Sequence, residues 1–211
     1  LNYLISLERN TLDRNILPTR GNRLRFEIKY VNNLSAQVQN PSPELNNPDS
    51  LFGFNAYPRI FFRSESFLPL RGKSGLILAP FAGILGDADS PASDFYLIGA
   101  PEKITRRSIP FYGLDPNEFV AQFALGMNVG FQYFLQNDLQ ISLHFSTGAF
   151  SLPQFSVGGI PEPDIFLSGL GLTAAYDSLL GPVKLSLMYP VSKNENIQQE
   201  LKAFLTYGHR F

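Results

Sequence analysis

The order that most constrains this chain has a period of two residues. Alternating apolar and polar side chains put one kind on each face of a β-strand. The cleanest stretch is 22–34, where Leu24, Phe26, Ile28 and Tyr30 alternate with Arg23, Arg25, Glu27 and Lys29. The last residues repeat the pattern: Leu201, Ala203, Leu205, Tyr207, His209 and Phe211 share one parity, and Lys202, Thr206, Gly208 and Arg210 share the other, with Phe204 the exception. In a soluble sheet, a final strand that carries apolar residues to its last position leaves a sticky edge open to pairing. In an outer-membrane barrel the last strand closes on the first, and aromatic girdles sit at the lipid interfaces. The alternation therefore points to an all-β, antiparallel transmembrane barrel.

Composition is compatible with that expectation. The 211 residues carry 17 Lys and Arg against 18 Asp and Glu, for a formal net charge of −1, which gives no footprint for nucleic acid. Cysteine is absent, so disulfides and thiolate-bound metals are excluded. Mean hydropathy is −0.03 and no apolar run approaches the roughly 18 residues of a membrane helix. A transmembrane barrel passes both tests, because half of each strand faces water. The chain opens on Leu1 already in strand register and without a signal peptide, so it reads as a piece of a longer protein or a mature fragment.

Nine strands are expected, at about 2–14, 22–34, 57–70, 74–86, 119–136, 139–150, 165–177, 183–190 and 198–211. Pro80 predicts a bulge or edge irregularity in the fourth. The fifth reads as one long strand with Phe119, Ala121, Phe123, Leu125, Met127, Val129, Phe131, Tyr133 and Leu135 on its lipid face. Connections alternate in length. Ile16–Gly21, Arg71–Lys73, Asn137–Asp138 and Ser178–Pro182 are short, whereas Ser35–Ala56, Asp87–Glu118, Ser151–Asp164 and Val191–Ile197 are long. Short periplasmic turns and long outer loops are the barrel pattern, and a β-sandwich gives no reason for it. An odd count of strands reads as the back part of a larger barrel, with 1–211 as one partial domain.

Several motifs now resemble one family, the surface-antigen barrel superfamily of BamA-like and TamA-like assembly factors. Asp13–Gly21 (DRNILPTRG) resembles its D-N-x-x-x-P-T-x-G hairpin. Ser168–Pro182 resembles its S-x-G-x-G-L strand and G-P turn, and Tyr207–Phe211 its terminal G-x-x-F. Leu205, Tyr207 and Phe211 stand where the family's C-terminal signal for the barrel assembly machinery lies. The resemblance implies the last nine strands of a sixteen-stranded barrel in the bacterial outer membrane, and a loop of about 87–118 folded back into the lumen.

That loop departs from the family pattern. Where V-R-G-F is expected, this chain has Phe111-Tyr112-Gly113-Leu114, and the partner strand places Ser146 near the usual Asp, with Gly148 two residues on. Both halves of the family's Arg–Asp pair are missing together, which avoids a buried unpaired charge costing several kcal/mol. Neutral contacts are expected instead, such as a Tyr112–Ser146 hydrogen bond worth about 1 kcal/mol, with other acceptors for Arg106 and Arg107. The Pro110-Phe111-Tyr112-Gly113 form looks closest to the barrel of patatin-like phospholipases, which implies an acyl hydrolase domain upstream.

No catalytic residue is expected in the chain itself: it holds no G-x-S-x-G elbow and no Ser–His–Asp set. Gly72-Lys73-Ser74 lacks the earlier glycine of a phosphate loop and reads as a turn. His144 and His209 sit on different strands, Asp87, Asp89 and Asp94 lack calcium-loop spacing and read as solvent-exposed, and no metal or cofactor is expected. The charged row of the second and third strands (with Arg59, Arg63 and Glu65) reads as a solvated lumen wall. Expected partners are outer-membrane lipid, the barrel assembly machinery and possible other outer-membrane subunits, but not nucleic acid. Three functions stay open: anchor or translocator of a patatin-like hydrolase, an assembly factor for other barrels, and a passive channel.

Overall fold

The structure, a computed structural model, describes residues 2–32, 56–86, 94–152, 163–178, 181–193 and 197–208. Four strands open the chain: β1 (Asn2–Asn10), β2 (Gly21–Val31), β3 (Tyr57–Pro69) and β4 (Ser74–Leu85). An insert follows with three short strands, β5 (Tyr96–Ile98), β6 (Ser108–Ile109) and β7 (Phe119–Ala121). Five more complete the wall: β8 (Phe123–Phe134), β9 (Leu139–Ser151), β10 (Ile165–Ser178), β11 (Gly181–Pro190) and β12 (Lys202–Tyr207). The wall is one antiparallel sheet in the order β1-β2-β3-β4-β8-β9-β10-β11-β12, and the insert is a separate sheet, β6-β5-β7. Among the described residues β1 and β12 each pair with one neighbour.

Register fixes what each face carries. Leu143 lies opposite Phe131 on one side and Leu172 on the other, and Leu172 in turn opposes Leu187. The resulting band of Leu, Phe, Tyr and Ile is bare: Leu143 is 55% exposed, Leu172 47% and Leu205 66%. The opposite face is polar yet covered, with Glu27, Gln132, Ser142, Ser146, Thr173, Ser186 and Lys202 all buried. Soluble sheets bury the apolar side and wet the polar one. This sheet does the reverse, because its own insert packs on the polar face.

Alternation alone did not reveal where the fifth strand breaks. At Gln122 the ladder with β4 stops: Gln122 O accepts from Leu85 N at 3.1 Å, and Gln122 N donates to Ser151 O at 3.0 Å. Residues before it leave the wall and pair with β5, Phe119 opposite Ile98 and Ala121 opposite Tyr96. Phe119 and Ala121 are therefore buried in the core beneath the insert and do not belong to the bare band. Each sheet wants an apolar residue at every second position, so the period runs unbroken through the change of partner. Pro80 makes no bulge either. The β3–β4 pairing lapses at Ser64–Pro80 and Glu65–Ala79, where a proline has no N–H to offer, and resumes at Ser66–Leu78 in unchanged register. The first strand ends at Asn10, four residues short of the expected 14, because the chain there bends into a turn.

The core lies between insert and wall. Phe150 of β9 is its centre, 5.6 Å from Phe111 and 5.9 Å from Phe119 in edge-on contact, and 6.2 Å from Phe81 in a stacked one. Such pairs add about 0.5–1.5 kcal/mol each beyond their buried area.

Candidate functional site

The insert is held at both flanks by charge. At its start, Lys29 Nζ of β2 donates to Asp94 at 2.7 Å, and the Tyr57 hydroxyl donates to the same carboxylate at 2.6 Å. Burial opposes the charge on Asp94, but Lys29, Tyr57 and the nearby Arg59 outweigh it and hold the carboxyl below its ordinary range. Asp94 is thus buried and paired, contrary to the expected solvent exposure; Asp87 and Asp89 lie outside the described residues. Further along, Arg106 reaches Glu27 at 2.6 Å, and Lys184 of β11 reaches Glu102 at 2.7 Å. At the far end Lys202 of β12 meets Glu118 at 2.6 Å and Asp115 at 3.1 Å. One short segment thus touches side chains from β2 to β12. Seven strand intervals separate these in the sheet order, about 34 Å if laid flat, so the wall is curled around its insert.

Neutral contacts hold the middle. Tyr96 donates its hydroxyl to Ile60 O at 2.6 Å while the Arg59 guanidinium lies 4.9 Å above its ring. The tip is Phe111-Tyr112-Gly113-Leu114. The Tyr112 N–H donates to Ser146 Oγ at 3.1 Å, and its ring stacks on His144 at 4.2 Å with a 10° tilt. Burial pushes the Tyr112 phenol above its usual range, so it stays neutral. Gly113 takes a left-handed φ of +96°, beside the backbone of Tyr189 and Pro190. Phe111 and Leu114 enter the core. Gly148 lies under the Phe150 ring, on which Phe111 of the tip packs.

The receptacle for Tyr112 is made by two residues to which the sequence had attached no docking role. Gly169 and Gly171 of β10 face inward, and a Cβ on them would stand 1.9 Å from Tyr112 O and 2.0 Å from Tyr112 Cδ1. The signal was present: two glycines on one parity of a strand mark close approach by another chain segment. They are the glycines of the S-x-G-x-G-L stretch.

The opposite end of the covered face is closed by the turn at 11–20. The Asp13 carboxylate accepts the backbone N–H groups of Thr19 at 3.0 Å and Arg20 at 3.2 Å, and also the Thr19 hydroxyl. Those bonds, with the Arg14 charge, overcome burial and keep the Asp13 carboxyl below its ordinary range. Leu17, at φ +47°, is pressed against Phe134 and Ala175, and Pro18 O accepts from Gln132 Nε2 at 3.1 Å. Gly72-Lys73-Ser74 lies at the β3–β4 turn, with the Ser74 hydroxyl donating to Arg71 O at 2.9 Å. Leu205 and Tyr207 point outward on β12, opposite Leu185 and Val183. Phe211 and His209 lie outside the described residues.

A polar-inside, apolar-outside antiparallel wall with a segment packed on its polar face defines an outer-membrane type of β-barrel domain. Among solved structures the chain is similar to BamA from Haemophilus ducreyi, in a crystal structure lacking POTRA domains 1-3. The TM-score is 0.69 and the identity 13%, over 97% of this chain and 41% of that one. The chain therefore has a BamA-like outer-membrane barrel fold. It spans 41% of the length of the protein it matches. No family model matches the sequence, and no curated protein matches it.

Proposed function

We propose that the chain is the lipid-facing wall and internal plug of a bacterial outer-membrane barrel, in which a docked loop makes the barrel a platform for the rest of a longer protein. The observation behind this reading is the inverted sheet: the bare apolar band from β1 to β12 has no use in water, and the buried polar face is filled by the chain's own insert. A segment packed across the inner face argues against a passive channel. In planar bilayers the intact protein is expected to show little steady conductance, and large stable open channels would refute the plug.

Two finer functions fit such a platform. Assembly of other barrels is favoured by the likeness to BamA. Anchoring or translocation of an acyl hydrolase is favoured by the tip sequence, Pro110-Phe111-Tyr112-Gly113, and its uncharged docking at Ser146. Ester hydrolysis by the detergent-extracted intact protein supports the second and is not expected of the first. Loss of other outer-membrane barrels on depletion supports the first.

A further inference from the structure

The rim of the wall at its short-turn end is divided by charge. Residues 11–20, between β1 and β2, and 68–74, around the β3–β4 turn, carry four cations, Arg14, Arg20, Arg71 and Lys73, and one carboxylate, Asp13. That carboxylate is already taken up by the Thr19 and Arg20 N–H groups, with Arg14 3.9 Å away. Residues 135–138, at the β8–β9 turn, and 175–178, at the end of β10, carry Asp138 and Asp177 and no cation. These two stretches adjoin, since Asp177 N donates to Asp138 O at 2.8 Å. One half of the rim is therefore basic and the other acidic.

Three of the four cations lack a carboxylate. Arg20 and Arg71 are exposed and form no ion pair among the described residues. Lys73, also exposed, donates to the neutral carbonyl of Leu135 at 3.1 Å, which leaves its charge uncompensated. They lie along one edge: Gly21 opposes Phe67 in the β2–β3 ladder, so Arg20 stands beside the chain as it enters the β3–β4 turn that carries Arg71 and Lys73. The bare apolar band ends just beneath them. Leu68 and Leu70 are exposed on β3 and its turn, and Tyr133, exposed on β8, lies opposite Ser74. On the acidic half Tyr176 is exposed in the same way, next to Asp177.

An apolar surface capped by unpaired cations matches a lipid of net negative charge. Its acyl chains lie against Leu68, Leu70 and Tyr133, and its headgroup meets the cations above them. Guanidinium groups pair with phosphate through two parallel hydrogen bonds, and basic side chains at a membrane surface draw in anionic lipid over a Debye length, about 8–10 Å. A zwitterionic headgroup is drawn in less, because its own ammonium offsets its phosphate. We infer that the rim formed by Arg20, Arg71 and Lys73 binds the phosphate of an anionic glycerophospholipid. The inference rests on the membrane placement of the wall proposed above, and adds to it the class of lipid and the side of the wall that holds it.

The test compares the two halves of the rim. A fluorescent probe is placed on a single cysteine at Leu70 or at Tyr176 of the intact protein, in vesicles of phosphatidylcholine with phosphatidylglycerol as the minor lipid. Both leaflets have the same composition, so orientation does not matter. Bromine quencher is carried on the acyl chains of one lipid or of the other. At Leu70, quenching by brominated phosphatidylglycerol should exceed that lipid's bulk share by about threefold or more, since each basic side chain at a membrane surface favours anionic lipid by about a factor of five when fully engaged. At Tyr176 it should equal the bulk share or fall below it. R20Q, R71Q and K73Q together should return the Leu70 probe to the bulk share. Bulk-share quenching at Leu70 with these cations intact, or equal enrichment at Tyr176, overturns the inference whether or not the triple variant folds. Enrichment that survives the triple variant overturns it too. Quenching by neither lipid at either position overturns the membrane placement itself, and the inference with it.

Discussion

A methyl group added at Gly171 tests whether the tip of the insert is seated where β10 leaves room for it. The new Cβ would stand 2.0 Å from Tyr112 Cδ1, against a comfortable carbon–carbon contact of about 3.5–4.0 Å. The ring must therefore retreat by about 1.5 Å or more. It has little freedom to do so, because it is already stacked on His144 at 4.2 Å and its backbone N–H is tied to Ser146. Overpacking of this size costs about 1–3 kcal/mol, and the cost falls on docking and not on the sheet, since the β10 backbone is unchanged. Hydrogen exchange of the Tyr112 amide reads it. One to two kcal/mol is a factor of about 5–30 in an opening equilibrium, so exchange should speed up at least fivefold. Leu172→Ala, one residue away on the bare face, should leave that amide's protection as it was. Unchanged exchange in G171A, or equal loosening by L172A, would refute the seating.

Lys202→Met removes the cation that joins Glu118 and Asp115 to β12; with Asp115 half exposed the loss should be about 1–3 kcal/mol, below that of a fully buried pair. Urea unfolding of K202M, E118Q and the double variant in detergent gives the coupling. Asp94 sets a pH response at the start of the insert. Its carboxyl lies below its unfolded value, so the stability it adds is complete above about pH 4 and disappears as pH falls through the folded value. Exchange protection of residues 94–98 should therefore drop in acid, and D94N should have lower protection at neutral pH and lack that drop. Asp13→Ala leaves the Thr19 and Arg20 N–H groups without their acceptor and should cost about 1–3 kcal/mol, read as faster exchange at 17–20 with little change at the tip.

The nine strands of the wall and their two faces were legible because a barrel wall is periodic along its whole length, and Leu24 to Tyr30 or Leu139 to Phe145 show it without help; the three short strands of the insert were not. The tip motif at 111–114 and its neighbour Ser146 were legible as a pattern with both charges missing. Other features were hidden because they arise from partners far along the chain. Nothing local to Phe119 or Ala121 says that they pair with Tyr96 and Ile98. The sequence reading emphasised neutral docking, yet four strand-borne groups, Lys29, Glu27, Lys184 and Lys202, each meet an oppositely charged residue of the insert. Each is one polar residue on a polar parity, indistinguishable by itself from a solvated wall residue. Of Arg106 and Arg107, both expected to find other acceptors, Arg106 meets Glu27.

Contact between the bare face and lipid chains is measured most directly by placing a fluorescent probe at single cysteines of the intact protein in bilayers whose acyl chains carry a quencher. Probes at Leu143 and Leu172, outward on neighbouring strands, should be strongly quenched, and probes at Ser142 and Thr173, one residue away and turned inward, should not. Equal quenching at all four, or none at Leu143 and Leu172, would contradict the placement of this sheet in a membrane.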